Sequence, residues 1–385
     1  MTETTSTPHS SISWRSISRV LLKATLLFAA LNAGFALLDP IEALGSISLY
    51  NIVLPGRERL PYGEDAARSF NLSLYNIPAL INSHVIARPK ATDEFRVVIL
   101  GDSATWGWFL TNADTLAGQL NAPQLRTTDG RRLVAYNLGY PIMALTKDVL
   151  ILDEALKHQP DLIVWPITLE SFPRAKQLFS PIAQNNAPRI RHLIETVQLQ
   201  IDPHDARFVT PDFFGKTLIG QRRNLADWLR LQLVGVSWAA TGVDQYIPAQ
   251  IKLRQADFEA DVAWQSFQQP TTLTTDHLAF DALAAGVQRA GDVPVIIINE
   301  PMFISPGKNR DLRYNSFYPR WAYDQYRALL SAQAQLHGWR YLDVWNAIAP
   351  DEFTDTPVHL TPHGSAQYAR LVGAEILNFS GQGDK

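Results

Sequence analysis

The sequence predicts a three-layer α/β/α domain built on a five-stranded parallel sheet. Three observations predict it: short apolar runs, helical patterns between them, and polar or glycine-containing turns where the runs end. The runs cover residues 96–100, 133–137, 162–167, 293–299 and 341–344. Runs that are apolar throughout are typical of parallel strands covered on both faces. Because helical patterns alternate with most of them, we expect βαβ units and one sheet.

Composition limits the classes of protein that the chain can belong to. Its 385 residues can form one large domain or two ordinary ones. The 34 basic and 37 acidic residues nearly balance, which argues against a nucleic-acid partner. The chain has no cysteine, so it has no disulfides, thiolate metal sites or cysteine nucleophiles.

The N-terminal region predicts a membrane anchor. Residues 20–38 are apolar except for Lys23 and Asn32, and they are numerous enough to cross a hydrocarbon core as a helix. Basic residues precede the stretch and acidic residues follow it, so we expect a cytoplasmic tail at 1–18, an anchor at 19–38 and the remaining chain outside the cytoplasm. The chain would then be a single-pass protein of the cell membrane, with the lipid bilayer as a partner.

A cleaved signal peptide is the alternative for this region, because Gly34 and Ala36 form an acceptable cleavage site. The apolar stretch exceeds the usual length of a signal-peptide core, which favours the anchor. The first 13 residues, rich in serine and threonine, are expected to be unstructured.

Two further segments complete the expected organisation. Residues 39–94 are interpreted as a lead-in that packs on the domain and carries no visible chemistry. Residues 95–380 form the domain, with a mainly helical insertion at about 172–270 that is long enough to be a lid or subdomain. The apolar stretch 229–240 could contact the membrane, but Arg230 and Gln232 favour a packed helix.

Ser103 is the candidate nucleophile. It follows the first apolar run in the sequence Gly101-Asp102-Ser103, where a buried strand stops and a helix is expected to begin. The carboxyl ends of strands are where open α/β sheets bind ligands. Backbone N–H groups and the helix dipole at such a turn favour a developing negative charge.

A histidine and a carboxylate that suit this serine lie just before the last helical pattern. Thr361 is a typical N-cap and Pro362 a typical first helical residue, so His359 lies in the preceding loop. His363 would fall in the first helical turn, where the dipole disfavours an imidazolium, so His359 is preferred as the base.

Asp355 lies four residues before His359 and is the expected orienting carboxylate, with Asp351 as the next choice. Serine, histidine and aspartate together form the arrangement that activates a serine nucleophile. The alternative to a catalytic role is that His359 is a capping or core histidine and Asp355 a turn residue.

These segments resemble the SGNH (GDSL-type) hydrolase superfamily over residues 95–378. GDSATWG at 101–107 is similar to the nucleophile block, NLGY at 137–140 to the second block, and DTPVHLTPHG at 355–364 to the last block. The resemblance implies a flavodoxin-like fold and acyl-ester chemistry at Ser103. It also implies an oxyanion hole formed by the N–H groups of Ser103 and Gly139.

Two features depart from the family pattern. The third block normally reads Gly-x-Asn-Asp and its Asn donates to the oxyanion, whereas this chain has Thr168 and Glu170 at the Gly and Asn positions. An ionised glutamate cannot donate, and losing one oxyanion donor typically costs about 2.7–4 kcal/mol. Catalysis could depend on the N–H groups of Ser103 and Gly139 alone, or Asn299 could replace the missing donor. Alternatively, Glu170 is protonated, or it points away and pairs with an arginine of the insertion. The second departure is the four-residue Asp–His spacing, where three is usual.

The loop after the fourth apolar run could line a polar substrate cleft, and the alternative is an ordinary polar surface loop. Glu170, Asn299 and Glu300 are tentative substrate-binding residues, and Arg310, Arg313 and Tyr314 could line the cleft as well. No residue group has metal-ligand spacing and no phosphate-binding loop occurs, so no cofactor is expected.

The leading hypothesis is a membrane-anchored serine esterase or O-acyltransferase that acts on acyl esters of envelope or exported glycans. The alternative is a non-catalytic SGNH-like module that binds glycans or scaffolds an envelope complex. A third interpretation treats the Gly-Asp-Ser sequence as coincidence and predicts that His359 lies far from Ser103. The sequence names no protein partner.

Overall fold

The sheet of this protein has five parallel strands. The structure is a computed structural model and describes residues 13–63, 70 and 72–381. The strands are β1 (Glu94–Ile99), β2 (Arg132–Asn137), β3 (Leu162–Ile167), β4 (Val295–Asn299) and β5 (Arg340–Asp343). They pair in the order β2-β1-β3-β4-β5, every pair parallel. The predicted five-stranded parallel sheet is confirmed, and each strand end lies within two residues of its predicted position.

Thirteen α-helices occur in the described part of the chain. They are α1 (Trp14–Leu38), α2 (Ile41–Gly45), α3 (Ile77–Ser83), α4 (Ser103–Trp106), α5 (Leu116–Asn121), α6 (Leu145–Ala155), α7 (Pro181–Gln184), α8 (Ala187–Val197), α9 (Arg222–Arg230), α10 (Val236–Thr241), α11 (Phe280–Ala290), α12 (Arg320–His337) and α13 (Pro362–Ser380).

The sheet separates two hydrophobic cores. Successive strand residues point to opposite faces, so in β3 Ile163 and Trp165 enter one core while Leu162 and Val164 enter the other. The first core is closed by α6, α8, α11 and α12, and the second by α5 and α13. Both faces are therefore covered, which confirms the predicted three-layer α/β/α architecture.

Helix α1 is long and apolar enough to cross a membrane, by length and composition. It begins after Ser13, whose side chain caps it by accepting from the N–H of Ser16. Its apolar side chains are largely exposed, and only Asn32 and Ala36 are buried. The helix starts five residues before the predicted anchor at 19–38. Except for Ser13, the segment expected to be unstructured lies outside the described residues.

The insertion is helical only in its first part. Helices α7 to α10 lie between residues 181 and 241, and a π-helical turn (Leu231–Gly235) joins α9 to α10. Residues 243–279, all of them described, contain no helix, contrary to a mainly helical insertion. Part of this backbone instead hydrogen-bonds to neighbouring loops: Phe258 N–H donates to the carbonyl of Lys308 at 3.3 Å.

Candidate active site

The turn that carries Ser103 is built from glycines and a capping aspartate. Gly101 has φ +130°, and a Cβ there would lie 2.4 Å from Thr105 Oγ1, so a side chain is excluded on both grounds. Asp102 caps α4 by accepting from the N–H of Ala104 at 2.8 Å. Ser103 is therefore the first residue of α4, half-buried at the end of β1.

Strand order places this turn at a crevice. The chain leaves β1 for β2 on one side of it and enters β3 on the other, so the strand order reverses between β1 and β3. Ligands of open α/β sheets bind outside the carboxyl ends of the strands at such a point. Ser103 follows β1 and Thr168 follows β3, at this edge.

The structure brings Ser103, His359 and Asp355 together, although the first two are 256 residues apart. Nε2 of His359 lies 2.8 Å from Oγ of Ser103, and Nδ1 lies 2.8 Å from Oδ1 of Asp355. Both distances are within normal hydrogen-bond range. This placement contradicts the interpretation in which His359 lies far from Ser103.

A closed loop explains how an aspartate four residues before the histidine reaches its ring. The N–H of Thr354 donates to the carbonyl of His359 at 2.8 Å, which closes the loop. Inside it, Thr356 Oγ1 accepts from the N–H of His359 at 3.2 Å. The carbonyl of Pro357 accepts from the N–H of Phe303 at 2.7 Å, which ties the loop to the segment after β4.

The surroundings of the histidine keep Asp355 ionised. Burial by itself would raise the pKa of Asp355, but the hydrogen bond from His359 and its charge outweigh burial, so the pKa lies below its usual value. The ring of Trp108 stacks on the imidazole with centroids 5.9 Å apart and an interplanar angle of 23°. One face of the imidazole is thus covered by an aromatic ring, and its two nitrogens point at Ser103 and Asp355.

A group of buried charges lies directly beneath the nucleophile turn. The side chain of Lys147 is fully buried, donates to the carbonyl of Gly101 at 2.6 Å and contacts the carboxylate of Asp148. Burial raises the pKa of Asp102 and of Asp148, and the nearby ammonium of Lys147 opposes this rise. The ammonium of Lys147 therefore favours the ionised form of both carboxylates.

Glu300 is a third acid of this group. Its side chain is buried, with 3% of the residue exposed, and burial together with the charges of Asp102 and Asp148 holds its pKa well above the usual value. Its Oε1 and the hydroxyl of Tyr368 are buried without a hydrogen-bond partner among the described residues, and both side chains line a cavity of about 10 Å³. This burial disagrees with the expected contact between Glu300 and substrate.

The two expected oxyanion donors differ in availability. The N–H of Ser103 is at the first position of α4, where helix geometry leaves it without an intrahelical acceptor. The N–H of Gly139 donates to Oδ1 of Asn137 at 3.1 Å. Gly139 also packs against the backbone of α4, since a Cβ there would lie 2.5 Å from the nitrogen of Trp106. The expected role of Gly139 thus requires its N–H to exchange partners.

The carboxylate of Glu170 is held by contacts with other side chains and does not take part in an oxyanion hole. It contacts the ammonium of Lys176 and accepts from Nε2 of Gln265 at 3.0 Å. Of the two possibilities for Glu170, protonation or an ion pair, the structure is nearer to the ion pair, formed with a lysine instead of an arginine. Its charge is compensated within the insertion.

Asn299 is also not directed at the crevice. The residue is fully buried, its amide nitrogen donates to Oδ1 of Asp343 at 2.9 Å, and its carbonyl accepts from the hydroxyls of Tyr323 and Tyr326. These contacts lie with β5 and α12. The expectation that Asn299 replaces the family's oxyanion donor or binds substrate is therefore not supported by its packing.

The remaining candidates lie outside the triad. His363 is exposed and contacts Glu352 at 2.5 Å, and Asp351 is exposed. Arg313 is buried and its guanidinium donates to backbone carbonyls, so it is structural. Arg310 lines a cavity of about 620 Å³ between the loops after β4 and β5, together with Arg320.

The lead-in contributes to the site, which the sequence interpretation missed. The indole N–H of Trp106 donates to the carbonyl of Leu60 at 2.8 Å. The guanidinium of Arg59 donates to the carbonyls of Gly107 and Leu110, each at 3.1 Å, and pairs with Asp244 at 2.9 Å. The only sequence signal for these contacts is the close spacing of Arg57 and Arg59. This spacing does not indicate which residues the two arginines contact.

Comparison with known proteins finds similarity only at the level of structure. No family model matches the chain, and no curated protein matches it. Among solved structures, a GDSL-like lipase from Bacteroides thetaiotaomicron is 12% identical over 79% of this chain and 98% of its own, with a TM-score of 0.38. A carbohydrate acetylesterase family member from Sinorhizobium meliloti is 12% identical over 74% and 99%, with a TM-score of 0.32. An aryl esterase of M. smegmatis is 11% identical over 73% and 97%, with a TM-score of 0.31. These three solved structures are named as a lipase, a carbohydrate acetylesterase and an aryl esterase.

Proposed function

We propose that this protein is a serine esterase or O-acyltransferase whose catalytic residues are Ser103, His359 and Asp355. One observation carries the proposal: the imidazole of His359 lies 2.8 Å from both the Ser103 hydroxyl and the Asp355 carboxylate. A serine hydroxyl is a weak nucleophile until a base within hydrogen-bond reach takes its proton, and this arrangement supplies the base and its orienting acid.

The proposed reaction proceeds through an acyl-serine. Oγ of Ser103 forms a bond to the acyl carbonyl carbon while its proton passes to Nε2 of His359, and the carbonyl electrons move to the oxygen. The N–H of Ser103 faces this oxyanion. The intermediate collapses, and the leaving alcohol takes the proton from His359. Water or an acceptor hydroxyl then attacks the acyl carbon, with His359 again as base, and Ser103 is released.

We further propose that the site acts on acyl esters of glycans outside the cytoplasmic membrane. The resemblance of residues 101–107 and 355–364 to the SGNH sequence blocks supports the ester chemistry. The choice of a glycan as the substrate rests on the same resemblance. The basic residues before the apolar stretch and the acidic residues after it support a cytoplasmic N-terminus. Helix α1 would then tether the domain to the membrane surface.

A non-catalytic glycan-binding or scaffold module is the second candidate. Two observations favour it: the N–H of Gly139 is already donated to Asn137, and Glu170 stands where the family has an oxyanion-donating Asn. A site that retains a single oxyanion donor would be slow, because each missing donor lowers the rate about 10²- to 10³-fold.

The deciding experiment is serine labelling of the purified full-length chain in detergent. A fluorophosphonate should label the wild-type protein and fail to label Ser103→Ala and His359→Ala, while Ser305→Ala, a buried serine on the loop after β4, should label normally. Hydrolysis of short-chain acyl esters, with and without a sugar acceptor, separates esterase from transferase. Absence of labelling and of ester turnover in the wild type would reject the enzyme and favour the binding module.

A further inference from the structure

The large exposed apolar side chains of the described residues are concentrated in helix α1 and in two other segments. Apart from those of α1 itself, the large hydrophobic side chains that are exposed in the described residues fall almost entirely into two segments. The first is the lead-in, with Ile47, Leu49, Ile52 and Val53, and the second is the insertion between 209 and 253. Among the described residues, Phe70 is exposed farther along the lead-in, Phe179 near the start of the insertion, and Leu336 and Leu371 on α12 and α13. Exposed apolar surface of this extent marks an interaction site.

The insertion contacts α1 directly. The N–H of Ile219 donates to Oδ1 of Asn32 at 3.3 Å, and Nζ of Lys216 pairs with Oδ2 of Asp39 at 2.6 Å. The segment 216–219 therefore runs beside the last turns of α1. Asn32 lies six residues before the end of α1 at Leu38, which is about 9 Å along the helix axis at 1.5 Å per residue.

This contact fixes where the insertion must lie if α1 spans a membrane. The lipid that surrounds α1 at the level of Asn32 would also surround the neighbouring backbone at Ile219. A helix that lies in a membrane interface typically enters it by about 5–10 Å. The distance of about 9 Å between Asn32 and the end of α1 falls in this range. The exposed side chains of Phe213, Phe214 and Ile219 are next to this contact along the chain.

A continuous framework connects this segment to the lead-in. Oε1 of Gln232 accepts from the N–H of Leu49 at 2.7 Å, and the hydroxyl of Tyr50 donates to the carbonyl of Leu231 at 3.2 Å. These contacts lie on one face of the helix formed by α9, the π-helical turn and α10. The side chains of Leu229 and Leu233 on the same helix are exposed. The sequence expectation of a packed helix at 229–240 therefore describes only one of its faces.

We propose that these exposed residues form a lipid-docking surface that lies in the membrane interface around α1. The docking surface consists of Ile47, Leu49, Ile52, Val53, Phe213, Phe214, Ile219, Leu229 and Leu233. Its occupant is the bilayer, because the surface is continuous with a helix whose apolar side chains are themselves uncovered. Arg223 and Arg230 of α9 are 84% and 57% exposed and both lie within 4 Å of Asp227. Their guanidinium heads would be available to the phosphates of anionic lipids.

Docking would hold the candidate active site at a fixed height and orientation above the membrane. Arg57 donates to the carbonyl of Gly235 at 3.2 Å, and Arg59 donates to the carbonyl of Gly107 at the end of α4. The docking surface is thus connected through the lead-in to the helix that carries Ser103. The domain would lie against the lipid surface instead of moving freely on a tether.

Because the chain contains no cysteine, single introduced cysteines test the proposal cleanly. The full-length chain is reconstituted into vesicles of equal parts phosphatidylcholine and phosphatidylglycerol, and each cysteine is labelled with an environment-sensitive fluorophore. Phe214→Cys and Leu233→Cys probe the docking surface. Leu336→Cys on α12 is the matched control, since Leu336 is 74% exposed and Phe214 is 76% exposed. Leu27→Cys on α1, where Leu27 is 72% exposed, reports the spanning helix itself.

Lipids that carry a nitroxide on the acyl chain near the headgroup should quench the labels at 214 and 233 several-fold more than the label at 336. Aqueous iodide, by contrast, should quench the label at 336. Three outcomes overturn the proposal. Labels at 214 and 233 that behave like the one at 336 mean a free surface, and labels shielded from both quenchers mean a protein partner or a second copy. Leu27 lies about 17 Å along the axis from the end of α1 at Leu38, so its label is tested with lipids that carry the nitroxide near the end of the acyl chain. Absence of quenching by those lipids removes the spanning helix on which the proposal rests. None of these results depends on esterase activity.

Discussion

Nζ of Lys147 lies 2.6 Å from the carbonyl oxygen of Gly101, two residues before the candidate nucleophile. The lysine side chain is fully buried and also contacts Asp148, whose Oδ2 accepts from the indole N–H of Trp165 at 3.1 Å. A buried ammonium is stable only when it is paired and hydrogen-bonded. The nucleophile turn therefore depends on one internal cation.

Replacing that cation should destabilise the fold. We expect Lys147→Met to lower the free energy of unfolding by about 3–5 kcal/mol, because Asp148 is left as an uncompensated buried charge. Chemical denaturation measures the change. The control is Lys90→Met, which removes a partly exposed pair with Asp161 at 2.6 Å and should cost no more than about 1 kcal/mol. Equal effects in the two variants would contradict the assigned role of Lys147.

Glu300 should make the protein less stable as pH rises. Its folded pKa is raised well above the usual value, so its stabilising contribution is complete below the unfolded pKa and is lost as pH rises toward the folded pKa. Glu300→Gln cannot ionise, so its stability relative to wild type should increase with pH, by at most about 1.4 kcal/mol per pH unit. Denaturation between about pH 5 and pH 8 measures this. The exposed Glu259→Gln is the control, and a parallel pH dependence of wild type and Glu300→Gln would refute the prediction.

Asp355 should be required for catalysis although it does not touch the substrate. In Asp355→Asn, Nδ1 of His359 loses its charged acceptor, so the imidazolium is no longer stabilised and the tautomer is no longer set. We expect kcat to fall by about 10³- to 10⁴-fold with little change in KM. The control is Asp351→Asn, the neighbouring exposed carboxylate, which should keep wild-type turnover. If Asp351→Asn lost the activity and Asp355→Asn kept it, the acid would be misassigned.

Arg59 should stabilise both the lead-in and the insertion. Its side chain and that of Asp244 are each 2% exposed, and they pair at 2.9 Å. Arg59→Met should cost up to about 3–5 kcal/mol of unfolding free energy, because the carbonyls of Gly107 and Leu110 lose a donor and the pair with Asp244 is removed. Asp244 then keeps one longer contact, with Arg57 at 3.6 Å. Arg223→Met at a surface pair is the control and should cost no more than about 1 kcal/mol. Thermal unfolding of the full-length chain can compare the two.

An asparagine at position 170, the residue that the resembled third block carries there, should have little effect. In Glu170→Asn the new amide replaces a carboxylate that is directed at Lys176 and Gln265, so we expect kcat to change by less than about threefold. The control is Lys176→Met, which removes the same ion pair without introducing a donor. A gain of about 10²-fold or more in Glu170→Asn alone would instead mean that position 170 reaches the oxyanion.

The strands and the candidate triad followed from local sequence signals. Residues 162–167 and their counterparts are apolar on both faces, and β3 occupies that range without change. His359 was preferred to His363 because a helix N-terminus disfavours a cation. In the structure His359 contacts Ser103, while His363 is on the first turn of α13 and contacts Glu352. Such signals are local: they depend on neighbouring residues and on periodicity.

The partners of buried polar groups depended on the tertiary structure. Asn299 and Glu300 end or follow β4 and were expected at the substrate, but the packing of α12 and α13 encloses them. Arg59 lies far from Gly107 and Asp244 along the chain, and no periodic pattern joins these three. Periodicity tells which face of an element is buried, whereas the partner of a buried charge depends on which elements the fold brings together. The strands and the candidate triad could therefore be proposed from the chain, while the charge network beneath Ser103 required the folded arrangement.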